Sequence, residues 1–109
     1  MISSQSFLKV TLLIISTFLY SQENNLKNIQ KLTFGGDNAE SYFSPNGKNL
    51  TLQVTNPTIG AHCDQIYLLD LNKKITGSKD LKLISTGNGR TTCSFFMPDG
   101  KHLLYASTH

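Results

Sequence analysis

The chain has 109 residues, a formal net charge of +3 and only 16% charged residues. That length holds at most one small domain, and the composition excludes a large enzyme, a collagen-like chain and a polar disordered chain. Arg90 is the only arginine, and 10 Lys and Arg stand against 7 Asp and Glu. A nucleic-acid binder would show a strongly basic, Arg-rich face, so no nucleic-acid partner is expected.

Met1 to Ser21 reads as an export signal. Lys9 gives a weakly positive start, Val10 to Tyr20 forms an apolar run, and Ser21 is a small residue suited to a cleavage site. The run is shorter than the roughly 20 residues that cross a bilayer as a helix, which favours a cleaved leader over an uncleaved anchor or a buried first helix. No Cys sits at the junction to take a lipid. The expectation is a periplasmic or secreted chain without a stable membrane span after cleavage. Residues 22–31 follow as a polar Asn, Gln and Lys lead-in.

From there the chain shows no helical stripe. Short apolar runs broken by turn residues predict consecutive antiparallel strands over Asn28–Thr33, Glu40–Ser44, Asn49–Thr55, Gln65–Leu71, Leu81–Ser85, Cys93–Met97 and His102–Ser107. Two tight turns stand out, Pro45-Asn46-Gly47-Lys48 and Pro98-Asp99-Gly100-Lys101. In each, Pro presets one backbone angle and Gly accepts a positive φ. The turns are copies: Tyr42 to Leu52 aligns with Phe95 to Tyr105 at a constant offset of 53 residues. Upstream, Lys31 to Gly36 matches Leu83 to Gly87 with one slip in the loop. A repeat of this period holding four strands is the mark of a β-propeller blade, the alternative being two unrelated hairpins. The fold class expected is all-β, a partial β-propeller of about one and a half four-stranded antiparallel blades over 32–109. One blade buries only one flank by itself, so the segment reads as the front of a longer ring.

These residues resemble the WD40-like propeller repeat of the TolB family of exported proteins. Its strand, Ser-Pro-Asp-Gly-Lys turn and hydrophobic strand stand here as Ser44 to Lys48 and Met97 to Lys101 with their following strands. Gln65 to Asp70 looks like the third-strand segment of that repeat, and Leu32 to Gly36 like its blade opening. The resemblance implies a periplasmic propeller that binds envelope proteins or other extracytoplasmic ligands, with no cofactor. Only a short polar lead-in separates the expected leader from the first strand, so the α/β domain that precedes the propeller in the best-known member is expected to be absent. Related propellers also precede catalytic domains in exported peptidases. A second reading therefore makes this the substrate-gating part of a larger exported hydrolase, and a third makes it a product without activity of its own.

Propeller topology would place the two Pro turns at one end and gather Phe34–Ala39, Asn56–Asp64 and Thr86–Thr92 at the other. That rim offers Asp37, Asn38, Glu40, His62, Asp64, Arg90 and Thr91 as candidate binding residues. The plainer reading is that Gly35 to Asn38 and Gly87 to Gly89 are self-capping turns. Cys63 and Cys93 fall near this rim on adjacent blades and are a disulfide candidate in an oxidising compartment; the alternative is two small residues packing the seam. Cys-x-x-Cys and His-x-x-x-His spacings are lacking, so no metal is expected. No nucleophile elbow, His-Glu-x-x-His or phosphate loop occurs, so the 109 residues are not expected to be an enzyme.

Overall fold

The computed structural model describes residues 25–109, so the expected leader over 1–21 and the start of the lead-in lie outside the described residues. Six strands follow: β1 (Asp37–Phe43), β2 (Asn49–Asn56), β3 (Ala61–Asp70), β4 (Leu81–Leu83), β5 (Thr91–Phe96) and β6 (Leu103–Ser107). β1 to β4 form an antiparallel sheet in sequence order, and β5 and β6 form a separate hairpin. The chain is all-β, and no α-helix occurs among the described residues. Two single-turn 3-10 segments, Pro57–Ile59 and Ser78–Asp80, punctuate the connections.

Alternation in β2 explains the layering. Leu50, Leu52 and Val54 point to one face and pair across to Leu69, Tyr67 and Gln65 of β3. The apolar members of that set are at most 5% exposed and form the core with Ala61. Burying each such side chain stabilises by about 1.5–3 kcal/mol. Leu32, Ile59, Leu71, Ile75 and Leu81 pack around them from flanking segments. The opposite face carries Asn49, Thr51 and Gln53, across from Asp70, Leu68 and Ile66.

The hairpin packs on that second face, and the joint is largely polar. The hydroxyls of Thr51 and Ser94, both 0% exposed, meet in a short hydrogen bond. Gln53 Oε1 accepts from the Thr92 hydroxyl and from the Cys93 amide. Gln65 Nε2 donates to the Gly89 carbonyl at 2.8 Å, and its Oε1 accepts from Ser85 at 2.7 Å. Phe96, 7% exposed, is the buried apolar side chain of the hairpin.

The 53-residue repeat extends to the hydrogen bonds. Ser44 N–H donates to Asn49 O at 2.8 Å, and Met97 N–H to His102 O at 2.9 Å. Gly47 N–H closes on Ser44 O, as Gly100 N–H does on Met97 O, at 2.9 Å in both turns. Asn46 and Asp99 each use Oδ1 to accept the amide two residues on. The strand register repeats as well: Asn38↔Val54, Ala39↔Gln53, Tyr42↔Thr51 and Phe43↔Leu50 become Thr91↔Ser107, Thr92↔Ala106, Phe95↔Leu104 and Phe96↔Leu103. Both hairpins break register at the same place, and the residue entering each bulge, Glu40 or Cys93, sits at φ 48 or 53. A non-glycine residue there costs about 1–3 kcal/mol, and holding it twice at the same position marks a shared design of the two hairpins.

Three expectations change. Asn28–Thr33 forms no strand; its Leu32 packs on the core, and the carbonyl of Phe34 just beyond it accepts from the Ser78 hydroxyl. The connection expected over Asn56–Asp64 shrinks to one 3-10 turn. Asn56 Oδ1 caps it by accepting from Thr58 N–H at 3.1 Å, and Gly60 ends it at φ 82. His62, Cys63 and Asp64 therefore lie in β3, because Ala61 already pairs with Asn56. The outer strand also stops at Leu83, two residues early, since the Ser85 hydroxyl turns inward to accept from the Ile66 amide.

Candidate functional site

Antiparallel order brings the start of β1, the end of β2, the start of β3 and the start of β5 to one end of the unit formed by Lys31–His109. Glycine makes the closest approach possible. A Cβ on Gly36 would lie 2.4 Å from the Thr55 carbonyl oxygen and 2.6 Å from Asn56 Cβ. Only glycine lets the β1 entry lie against the end of β2.

Four side chains converge beside it. Thr55 donates to Asp64 Oδ1 at 2.6 Å, and Arg90 reaches Asp64 Oδ2 at 3.5 Å. The Thr91 hydroxyl, buried at the first position of β5, donates to the Asp64 carbonyl at 3.3 Å. Asp37 stands directly across the ladder from Thr55. The guanidinium remains 65% exposed while the Asp64 side chain is 24% exposed, so the pair is anchored on the acid and open on the base. Such a half-covered pair contributes little to stability and leaves the fork of Arg90 able to meet a carboxylate or phosphate.

The other expected rim residues occupy separate positions. Asn38 Nδ2 donates to the carbonyls of Gly35 and Gly36, at 3.0 and 3.3 Å, so this residue is a turn cap. Its Oδ1 and the Nδ2 of Asn56 are buried without a partner among the described residues. Glu40 accepts from the Tyr42 hydroxyl at 2.6 Å, which pushes the phenol above its ordinary range. Tyr42 also meets Phe95, its counterpart in the second hairpin, edge to face at 5.8 Å. His62 is exposed, and neither it nor Asp37 has a side-chain hydrogen bond or ion pair among the described residues.

Cys63 and Cys93 are both free thiols. Cys63 Sγ donates to the Gly89 carbonyl at 2.8 Å, whereas Cys93 Sγ lies 3.3 Å from the Thr92 hydroxyl. In this structure each sulfur is engaged with a different neighbour. Among the described residues no three His, Cys, Asp or Glu side chains gather around a point that could hold a metal ion. The contact between Ser107 and His109 Nδ1 has a hydroxyl, Thr86 at 3.0 Å, on the other ring nitrogen where a hydrolase would place an orienting carboxylate. No helix among the described residues is long and apolar enough to cross a membrane.

Thr55, Gln65 and Gln53 organise this end and were not singled out from sequence. Their partners lie 9 to 40 residues away, and nothing in local patterning marks them. Compared with models of known families, with curated proteins and with solved structures, the chain matches none of them.

Proposed function

We propose that this chain is an exported, TolB-like β-propeller segment that works as a binding scaffold of the cell envelope, periplasmic or secreted, and grips a protein or other extracytoplasmic ligand at the end that carries Asp37, Asp64 and Arg90. The observation that carries the reading is the duplicated hairpin, whose turn bonds, bulge and register recur at 53 residues and which packs on the sheet before it as successive blades would. Polar groups gathered where strands end are the common binding position of such rings. Arg90 supplies the bidentate donor, and Asp37 is an exposed acid across the ladder from Thr55, which binds the same Asp64.

The test is cross-linking of the exported chain to envelope proteins, with wild type beside Asp37→Ala and Arg90→Ala. Both variants keep the thermal transition within a few degrees, because exposed positions of this kind shift stability by about 0.5 kcal/mol or less. The reading expects the cross-linked partners to be lost in both. An unchanged partner set in two folded variants rejects the rim as the site.

A further inference from the structure

We propose that Asn88 is a self-modification site, where the side-chain carboxamide is captured by the following glycine and the residue converts to aspartate and isoaspartate within the folded chain. The inference does not rest on the rim reading. Its only co-reactant is water, so no partner has to find an open face. Asparagine followed by glycine occurs twice, at Asn46-Gly47 and Asn88-Gly89. Glycine favours the reaction because, without a Cβ, its amide nitrogen can approach the neighbouring carboxamide and its backbone can take the angles that ring closure needs. By residue type the two pairs are equal, and both asparagines are exposed. Their hydrogen bonds separate them.

At the first pair both reacting groups are tied down. Gly47 N–H closes the turn on Ser44 O at 2.9 Å. Asn46 Oδ1 accepts from the Ser44 hydroxyl at 2.8 Å and from the Lys48 amide at 3.0 Å. The turn has to open before the nitrogen can reach the carboxamide carbon.

The second pair has no such restraint. Among the described residues neither the Asn88 carboxamide nor the Gly89 amide nitrogen takes part in a hydrogen bond, and Asn88 is held by its own main-chain amide, on the Thr86 hydroxyl at 3.3 Å. Gly89 is fixed from its other side. Its carbonyl accepts from Cys63 Sγ and Gln65 Nε2, at 2.8 Å each, and the Arg90 amide donates to Thr108 Oγ1 at 2.9 Å. The nucleophile is thus anchored, and the residue that carries the electrophile gives up one long bond in turning onto it.

The step balances with water alone. Gly89 N loses its proton to solvent and attacks Asn88 Cγ; the N–Cγ bond forms, the Cγ–Nδ2 bond breaks, and Nδ2 takes a proton from solvent and leaves as ammonia. Water then opens the succinimide. Attack at Cγ gives aspartate on the ordinary main chain, and attack at the main-chain carbonyl gives isoaspartate, one methylene longer. Either product puts a carboxylate shortly before Arg90, whose guanidinium reaches Asp64 at 3.5 Å. The longer product also adds length directly before the carbonyl on which Cys63 and Gln65 meet.

Peptide mass mapping of the whole chain, aged in neutral buffer made with heavy-oxygen water, tests this, since passage through the succinimide leaves a heavy oxygen at the site. In the folded chain the Asn88 peptide is expected to label roughly tenfold or more faster than the Asn46 peptide, the factor expected when several hydrogen bonds must open first. In urea the two are expected to label at comparable rates. Asn88→Ala is expected to keep the fold and remove the fast phase of ammonia release. Comparable labelling of the two sites in the folded chain overturns the proposal, as does an Asn88 peptide that stays unlabelled while the unfolded chain converts. So does a gap that persists in urea, which would assign the difference to flanking residues, or a fast phase that survives Asn88→Ala.

Discussion

Replacing Gly36 by alanine isolates the close approach that builds the Arg90 end. Three glycines share nearly the same backbone angle, φ 67 at Gly36, 68 at Gly47 and 61 at Gly89, but differ in what an added methyl group meets. At Gly47 it meets nothing within 4 Å. Gly47→Ala therefore carries only the left-handed penalty, about 1–2 kcal/mol. At Gly89 the nearest atom is the Thr108 hydroxyl at 2.8 Å, a side-chain end that can rotate away at the cost of the bond it accepts from the Arg90 amide. At Gly36 the obstacle is the Thr55 carbonyl at 2.4 Å with Asn56 Cβ behind it, and neither can move without shifting β2. Overpacking of that kind adds about 1–3 kcal/mol, so Gly36→Ala should cost about 2–5 kcal/mol in all. For a unit of this size each kcal/mol lowers Tm by about 4–8 °C. Thermal unfolding followed by far-ultraviolet circular dichroism should rank the losses Gly47→Ala, then Gly89→Ala, then Gly36→Ala. Equal losses at Gly36 and Gly47 would show that β1 does not lie against the end of β2, and the placement of Asp37 beside Thr55 would go with it.

The polar joint predicts coupling. Thr51→Val strands the buried Ser94 hydroxyl and should cost about 1–3 kcal/mol in urea unfolding, while the Thr51→Val, Ser94→Ala pair should cost less than the two single losses together; simple additivity would deny the bond. Cys93→Gly relieves the left-handed angle at the second bulge, and after the entropy of glycine is set against it should raise stability by about 0.5–1 kcal/mol; a loss would mean that the thiol matters more than the angle. Asp99 is held down to about 2 by its bond to His102, at 2.5 Å, and by the amides of Lys101 and His102. A depressed carboxylate favours the folded turn above the ordinary aspartate range and loses that advantage as pH falls towards 2. A carbon-detected NMR titration should show the low midpoint and its rise in His102→Ala; an unmoved midpoint in that variant would remove the histidine from the account.

Much of the fold was legible because β strands and tight turns are written locally. Leu50, Leu52 and Val54 announce a half-buried strand by their spacing, and Pro followed by Asn-Gly or Asp-Gly announces the angle the turn needs. The matching bulges were not legible, since neither Glu40 nor Cys93 is a residue type that signals positive φ. The run Asn28–Thr33 has the composition of a strand but forms no ladder, and pairing is a tertiary fact. At the candidate site Asp64, Arg90 and Thr91 do come together, whereas Asn38 and Glu40 are spent on local bonds. That distinction turns on which donor the fold brings within reach of which acceptor, and residue type alone does not carry it.

The seam between sheet and hairpin has a further bearing on how such a chain is ordered. Leu104 and Ala106 occupy in the second hairpin the places of Thr51 and Gln53 in the first. A following module resting on β6 would find an oily landing rather than the hydroxyl and carboxamide that receive Ser94 and Thr92. Neighbouring contacts of unlike character cannot be exchanged for one another, so each unit would be told its position by the texture of the surface it must mate with.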